Sequence, residues 1–360
     1  MRRRLFRTAV GLTGLVMALL LVVSGVGCAL SAPTWKGPVS PHFDGSKFVT
    51  PGAPKKKGGF DVEGLGALIS WQFSRKPGPW KSYREEKAGP PPPYEVPKGQ
   101  MRVTFINHAT TLIQLDGVNI LTDPIYAERA SPFDFVGPHR VRPPGIRFED
   151  LPRIDVVVIS HNHYDHLDIK ALEKIGKTWP HVQIFAGLGN KGLLEQHGLI
   201  NVSELDWWDT REVKGITIHS VPNQHFSNRG TFDGDGTLWS AWVFEGSAGK
   251  AYFGGDTAYG PHFAQVSEKL GPMRLAVLPI GAYAPEWFMS PIHMSPVEAV
   301  QAALDLKAGL AVPMHYGTFP LADDGETEAV EVLQKALKEK PAPFVVLDFG
   351  EGRDVPEAAP

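Results

Sequence analysis

The run Ser160-His161-Asn162-His163-Tyr164-Asp165-His166-Leu167-Asp168 sets three imidazoles and two carboxylates at the end of the apolar stretch Val156-Val157-Val158-Ile159. Imidazole nitrogen and carboxylate oxygen are the donors that zinc and related divalent ions favour. A short β-branched run, with Pro152 and Asp155 before it and polar residues after it, reads as a buried central strand ending in a loop. Side chains two apart on an extended backbone share a side, so His161 and His163 can reach one cation. Asp165 and His166 fall where the chain turns, within reach of a neighbouring cation. A polar loop with incidental histidines is the alternative, and so dense a group of ionisable residues at the mouth of a buried strand weighs against it.

A second cation needs more ligands than that run supplies, and three later residues stand in similar settings. His225 follows the strand pattern through Ile218-His219-Ser220-Val221, Asp256 follows Ala251-Tyr252-Phe253-Gly254-Gly255, and His315 follows Leu310-Ala311-Val312-Pro313-Met314. The glycines before Asp256 let the backbone turn sharply and approach its neighbours, which allows a carboxylate to stand between two cations. Taken singly, a histidine at a strand end is more often a satisfied surface or core residue. Together with the first run, the three complete a set.

These residues require strands to carry them. Alternating apolar patterns and turn residues predict strands at Val103–Ile106, Thr111–Leu115, 117–123, Val182–Phe185, Gly215–Val221, Leu238–Phe244, Ala251–Phe253, Leu275–Pro279 and Phe344–Leu347. A helix is expected from Ile169 to about Ile175 and another from about Thr327 to Leu337. Ser295 with Glu298 three residues on, and Pro296 between, forms a capping box before a helix over Val297–Leu306. Strands in two sets with helices interspersed imply an α/β fold of two packed sheets with helices outside.

The amino terminus reads as an address. Arg2-Arg3-Arg4 and Arg7 precede an apolar run from about Ala9 to Val23, then small residues and Cys28, so residues 1–28 have the layout of a secretory signal. The segment is short for a membrane span and has no stop signal after it. Cys28 is the only cysteine, which excludes an intramolecular disulfide and a thiolate metal site. Its setting after Val26-Gly27 resembles a lipobox with Gly25 where leucine is usual, leaving a lipid anchor or plain cleavage near Ala32. The expected location is the bacterial periplasm or the membrane, as an anchored lipoprotein of the cell envelope. The formal charge is −3, and the arginines of the leader supply part of its positive share. An acidic chain without a basic stripe excludes nucleic acid as a partner.

Residues 29–100 form a Pro/Gly-rich extension, with Lys55-Lys56-Lys57-Gly58-Gly59 and Pro90-Pro91-Pro92-Pro93 bracketing one patterned piece. There Leu65, Leu68, Ile69 and Phe73 recur at helical spacing, with Trp71 and Trp80 nearby and Arg75, Lys76 and Lys81 after them. Such a segment suits a membrane surface or the flank of the main domain. The main domain spans 101–350, and 351–360 is a tail.

The ordered set His161-x-His163-x-Asp165-His166, His225, Asp256 and His315 resembles the ligand pattern of metallo-β-lactamase-fold hydrolases. From Met101 to Leu321 the chain is further similar to N-acylphosphatidylethanolamine-hydrolysing phospholipases D and their bacterial relatives. The likeness runs through Leu121-Thr122-Asp123-Pro124, Arg129-Ala130-Ser131-Pro132, Val141-Arg142-Pro143-Pro144-Gly145, Asp206-Trp207-Trp208, Gly254-Gly255-Asp256-Thr257-Ala258-Tyr259, Pro279-Ile280-Gly281-Ala282-Tyr283, Trp287-Phe288-Met289 and His315-Tyr316-Gly317-Thr318-Phe319. The resemblance implies an αββα sandwich of two mixed β-sheets flanked by helices. It implies two divalent ions, zinc by family habit, the first on His161, His163 and His225 and the second on Asp165, His166 and His315, with Asp256 bridging. Asp123 and Asp168 would hold ligand imidazoles in one tautomer, unless they only form turns. His293 would stand near the substrate phosphate and share catalysis with Asp165, and Tyr283, Glu286 and Trp287 would line the pocket.

The implied reaction is hydrolysis of a phospholipid at a membrane surface, through a metal-bridging hydroxide, to N-acylethanolamine and phosphatidic acid. Departures bear on substrate choice. Ala284-Pro285-Glu286 stands where animal members have Glu-Pro-Arg, so an anion replaces a cation, and Phe226 and Tyr316 replace tryptophans. A lactonase or other ester hydrolase of the same fold, and a non-catalytic metal-binding envelope lipoprotein, are the competing readings.

Overall fold

Alternation along one strand sets up the layers. In β4 (Val156–Ile159), Val156 and Val158 enter a core shared with Trp242, Phe244 and Val277, whereas Val157 and Ile159 enter another shared with Leu172 and Ile175. A strand with apolar residues on both faces must be covered on both, by a second sheet on one side and by helices on the other. The structure, a computed structural model, describes Gly27, residues 30–54 and residues 62–357. Cys28, most of the leader and Lys55-Lys56-Lys57 lie outside the described residues.

The first sheet contains β1 (Met101–Asn107), β2 (Thr110–Leu115), β3 (Val118–Thr122), β4, β5 (Gln183–Gly187), β6 (Val202–Leu205) and β13 (Gly352–Asp354). Its order is β13-β1-β2-β3-β4-β5-β6. The second holds β7 (Thr210–Val213), β8 (Ile216–Val221), β9 (Ala241–Gly246), β10 (Gly249–Phe253), β11 (Leu275–Pro279) and β12 (Leu310–Met314), in the order β12-β11-β10-β9-β8-β7. Both sheets are mixed: β3 to β6 pair in parallel, as do β10 to β12, and the remaining neighbours are antiparallel. Helices α2 (Ile169–Thr178) and α3 (Lys191–Gln196) cover the first sheet through Leu172, Ile175, Leu193 and Leu194. Helices α4 (His262–Leu270), α6 (Pro296–Asp305) and α7 (Glu328–Glu339) cover the second through Phe263, Val300 and Leu333. The short α5 (Glu286–Met289) lies between them in sequence. The expected αββα sandwich is therefore the fold.

Strand direction places the chemistry. Because β1, β3 and β4 run the same way, Asn107, Thr122 and Ile159 end at one edge of the first sheet. In the second, β8, β10, β11 and β12 share a direction, so the residues after Val221, Phe253, Pro279 and Met314 also emerge together. His161, His225, Asp256 and His315 all follow strand ends of this kind, the position where open α/β sheets place their ligands.

The capping box is present, with Ser295 Oγ accepting from Glu298 N–H and Glu298 Oε2 accepting from Ser295 N–H at 2.8 Å. Phe344–Leu347 does not form a strand. Only Phe344 bridges to Ala311, while Val345 N–H donates to the Ala311 carbonyl at 2.9 Å, so the segment merely brushes edge strand β12 beside Pro313, which has no N–H to continue a ladder. Residues 352–354, beyond the boundary drawn at 350, pair with β1 and add the Arg102–Asp354 ion pair at 2.6 Å. The patterned piece of the extension is helix α1 (Val62–Ser74), whose Ala67, Leu68 and Trp71 pack on Phe288, Met289, Ile292 and Ala322. Earlier in the extension, Phe43 and Phe48 are buried against Leu238 and Trp239.

Gly255 and Gly198 both have positive φ, +56° and +78°. A Cβ on Gly255 would lie 2.3 Å from Ser160 Cβ, whereas one on Gly198 meets nothing within 4 Å. Gly198→Ala should therefore cost ~1 kcal/mol from the left-handed backbone alone, and Gly255→Ala a further ~1–3 kcal/mol from overpacking. Denaturant titration of the two variants measures the difference, and equal losses would show that the close approach is not rigid.

Candidate metal centre

Asp123, at the end of β3 and buried, begins the construction. Its Oδ1 accepts Ser160 N–H at 2.7 Å, and its Oδ2 accepts Ser160 Oγ–H at 2.5 Å and His166 Nδ1–H at 2.7 Å. With its hydrogen spent on Asp123, Ser160 Oγ accepts from His161 Nδ1–H at 2.9 Å. One carboxylate thus leaves the Nε2 lone pairs of His161 and His166 free to face a cation. His225 is fixed the same way, Nδ1–H donating to the Ile292 carbonyl at 2.8 Å.

The lone pairs then converge. His163 Nδ1 lies 2.8 Å from His161 Nε2 and 3.3 Å from His225 Nε2, and the three donor atoms fall within 4.8 Å of one another. Asp165, His166 and His315 form a second group, joined by His108, within the same limit. Asp256 Oδ2 stands between the groups: 3.1 Å from His166 Nε2 and from His315 Nε2, and 3.9 Å from His161 Nε2 and from His225 Nε2. Asn223 Nδ2 holds the approach to it by donating to the carbonyls of Gly254 and Asp256, both at 2.9 Å. Gly281 permits the neighbouring approach, since a Cβ there would lie 1.8 Å from the His315 carbonyl oxygen.

This donor set fits two divalent ions. His161 and His225 aim fixed lone pairs at a common point, which hydrogen bonding between them cannot satisfy. Buried His166 Nε2 and Asp256 Oδ1 have no hydrogen-bond partner among the described residues. The two positions differ in charge. Burial, reinforced by neighbouring imidazoles, holds His161 well below its ordinary pKa, and burial likewise depresses His225 and takes His163 down to about 3. At the second position burial works against protonation but is outweighed by Asp256 and Asp165, which raise His166 and bring His315 up to about 9. For Asp165 and Asp256, burial is outweighed chiefly by His166, so both carboxyls are held well below their usual range.

His293 belongs to the same assembly. Its Nδ1 lies 3.9 Å from Asp256 Oδ2, and burial brings its pKa down to about 4, so it is a neutral donor at physiological pH. It opens onto a cavity of about 270 Å³ lined also by Tyr283, Glu286, Ser290, Ser295 and Glu298. Tyr283 donates its hydroxyl to Glu328 Oε1 at 3.2 Å. Trp287 is outside the cavity lining, 43 % exposed at the surface. Phe226 packs edge-on against the His163 ring, and Tyr316 stacks on Phe105.

Asp168 holds no ligand imidazole. Its Oδ1 caps α2 through Ala171 N–H at 3.1 Å and its Oδ2 accepts Tyr126 and Ala127 N–H at 3.0 and 2.8 Å, because the chain has already turned into the helix there. His108 was not singled out from sequence, although it too follows a strand end, in the Asn107-His108-Ala109 turn between β1 and β2. Arg229 was also missed: its Nη1 donates to the Asn162 and Leu167 carbonyls at 3.0 and 2.9 Å, pinning both ends of the metal-binding run.

Residues 118–316 match the model of a beta-lactamase superfamily domain. The chain is 41% identical over 266 residues to the N-acyl-phosphatidylethanolamine-hydrolyzing phospholipase D 1 of Caenorhabditis elegans, covering 69% of this chain and 74% of that protein. It is 37% identical over 349 residues to an uncharacterized protein of Mycobacterium tuberculosis, covering 94% and 92%. Among solved structures, Igni18, a metallo hydrolase from Ignicoccus hospitalis, superposes with a TM-score of 0.55 at 24% identity, covering 71% of this chain and 98% of that one.

Metal titration of chelator-treated protein should give two ions per chain, with a stoichiometry of one at full activity excluding the paired arrangement. Asp165→Ala or His315→Ala should lose the second ion preferentially, and His163→Ala the first. The ligands of the first position are neutral at pH 7, so its affinity should change little between pH 6 and 9. The second cation must displace protons from His166 and His315, so its affinity should rise with pH up to about 9. Calorimetry in buffers of different ionisation enthalpy reads the released protons directly.

Proposed function

The chain belongs to the metallo-β-lactamase superfamily of metal-dependent hydrolases, and on that premise we propose that it is a phospholipase D-type phosphodiesterase that releases N-acylethanolamine and phosphatidic acid from N-acylphosphatidylethanolamine-type phospholipids. The observation that carries the reading is the convergence of two donor groups on Asp256 Oδ2, with neutral His293 beside it and lining a cavity. The substrate named for the Caenorhabditis elegans relative supports the choice of phospholipid. His161, His163 and His225, and Asp165, His166 and His315, with Asp256 between them, would hold two divalent ions, zinc in this proposal, which when bound would supply a water of lowered pKa and positive charge for the phosphoryl oxygens.

The side chains do the rest. Asp165 or Asp256 orients the attacking water and takes its proton, which the departing N-acylethanolamine oxygen then regains. Oxygen from water joins phosphorus as the bond to the N-acylethanolamine oxygen breaks, leaving phosphatidic acid. His293, kept neutral by burial, donates a hydrogen bond to the phosphate or to the departing alkoxide. Glu286 and Glu298 line the cavity and disfavour anionic groups there, so unacylated or shorter phosphodiesters are discriminated against less than where an arginine stands.

The same reading puts the domain on a lipid surface. While one face of α1 packs on Phe288, Met289 and Ile292, Phe73 is 91 % exposed and Ile69 half exposed. Of the cations after it, Arg75 turns inward, its Nε 2.8 Å from Asp323 Oδ1 and its guanidinium over Trp71, leaving Lys76 and Lys81 outward. None of the helices among the described residues is long and apolar enough to cross a membrane. Export by residues 1–28 and an anchor on Cys28 would bring this face to the envelope lipid.

Incubation with N-acylphosphatidylethanolamine and identification of the products decides the reaction. A free fatty acid or diacylglycerol as primary product would contradict it, rapid lactone opening without phosphodiester turnover would favour a lactonase, and no turnover at all a binding protein. His293→Ala should lower kcat by about 10²–10⁴-fold and change KM far less. Glu286→Arg should narrow the substrate range toward N-acylated phospholipids. Phe73→Glu should weaken binding to phospholipid vesicles without changing turnover of a soluble phosphodiester, and Cys28→Ser should move the protein from the membrane fraction to the soluble one.

A further inference from the structure

Among the described residues His108 meets Asp165, His166 and His315, the ligands particular to the second cation position, and none of His161, His163 and His225. Its Nε2 lies 2.9 Å from Asp165 Oδ2, its carbonyl accepts His315 N–H at 2.8 Å, and its ring centroid is 4.1 Å from that of His315 and 5.3 Å from that of His166. Its own N–H donates to Thr318 Oγ1 at 3.1 Å, and the residue is buried with φ +46°. No ring contact joins it to His161, His163 or His225 among the described residues.

We propose that His108 is a positioning residue dedicated to the second cation: its Nε2–H holds Asp165 and its carbonyl holds His315. All three imidazoles near Asp165 point at the same oxygen, with His166 Nε2 at 3.3 Å and His315 Nε2 at 3.4 Å. A cation takes the lone pairs of those two nitrogens, so neither can then donate a hydrogen to Asp165. Among the described ring contacts, His108 alone keeps an N–H for the carboxylate. An ionised carboxylate this buried needs such a donor to hold one orientation. The backbone bond to His315, itself at φ +64°, fixes the second ligand through the same residue. The inference rests on the paired metal centre and is independent of which ester is cleaved.

The test is stepwise titration of Zn²⁺, and in parallel Co²⁺, into the metal-stripped full chain. His108→Ala should weaken the second ion by about 10–100-fold and leave the first within a few-fold of the parent. His108→Gln, whose amide retains an N–H donor, should recover most of that loss. Thr318→Val, which frees the His108 backbone without touching a ligand, should weaken the second ion in the same direction but less. If His108→Ala does not fold, the last two variants carry the comparison. Unchanged second-ion affinity in His108→Ala, or in Thr318→Val where His108→Ala does not fold, would overturn the proposal. So would equal weakening of both ions, the mark of a general structural role. A Co²⁺ spectrum showing one nitrogen ligand fewer in His108→Gln would make His108 a ligand itself and also overturn it.

Discussion

Two carboxylates buried among imidazoles are the constraint on which the remainder depends. Asp165 and Asp256 are each more than nine-tenths covered as residues, and neither is paired with lysine or arginine among the described residues. An ionised carboxylate in such a place is tolerable only if positive charge is brought to it. Here that charge comes from protons on His166 and His315 or from divalent cations, and the two compete for the same lone pairs. The geometry therefore favours metal for electrostatic reasons before any catalytic role is considered.

The cost of gathering these groups is spread across the sandwich. Parallel strands deliver their carboxyl ends to one edge, so ligands from distant parts of the sequence meet without long loops. Asp123 acts on two ligands at once, directly on His166 and through Ser160 on His161. Gly255 leaves room for Ser160 at the end of β4 in the first sheet, and Gly281 leaves room for the His315 carbonyl beside it at the edge of the second. Arg229 ties the loop after His225 to the loop of His161, so the arrangement within the first position is braced from both sheets.

Much of this was legible because a buried strand followed by ligand-type residues is a local pattern. Val156–Ile159 has the predicted limits, and the strand-end rule singled out His225, Asp256 and His315, whose donor atoms the structure brings close to the first run. The rule applied equally to His108, which was passed over because it lies in a hairpin turn and has no companion ligand nearby in sequence. Of the two readings open for Asp168 the local one holds: its neighbours in sequence are ligands, but a helix begins at that residue and turns the carboxylate to the backbone. Strands β6, β7 and β13 went unrecognised because edge strands that face water need no apolar alternation, and Thr210–Val213 is largely exposed. Export and lipidation rest on residues outside those described.

The sheet margins have a consequence for how copies of the chain meet. A β-sandwich offers its neighbours four open margins, each a template on which another strand could grow. Here β13 is three residues long with Arg353 and Asp354 exposed, and β6 is four residues long. On the other sheet β7 presents Arg211 and Glu212 to water, while β12 carries Pro313 and is partly shielded by Phe344. Two molecules colliding margin to margin find short, charged or interrupted ladders. Colloidal stability is thus built into the same strands that frame the site, and crowding the protein onto a two-dimensional surface need not drive it into fibrils.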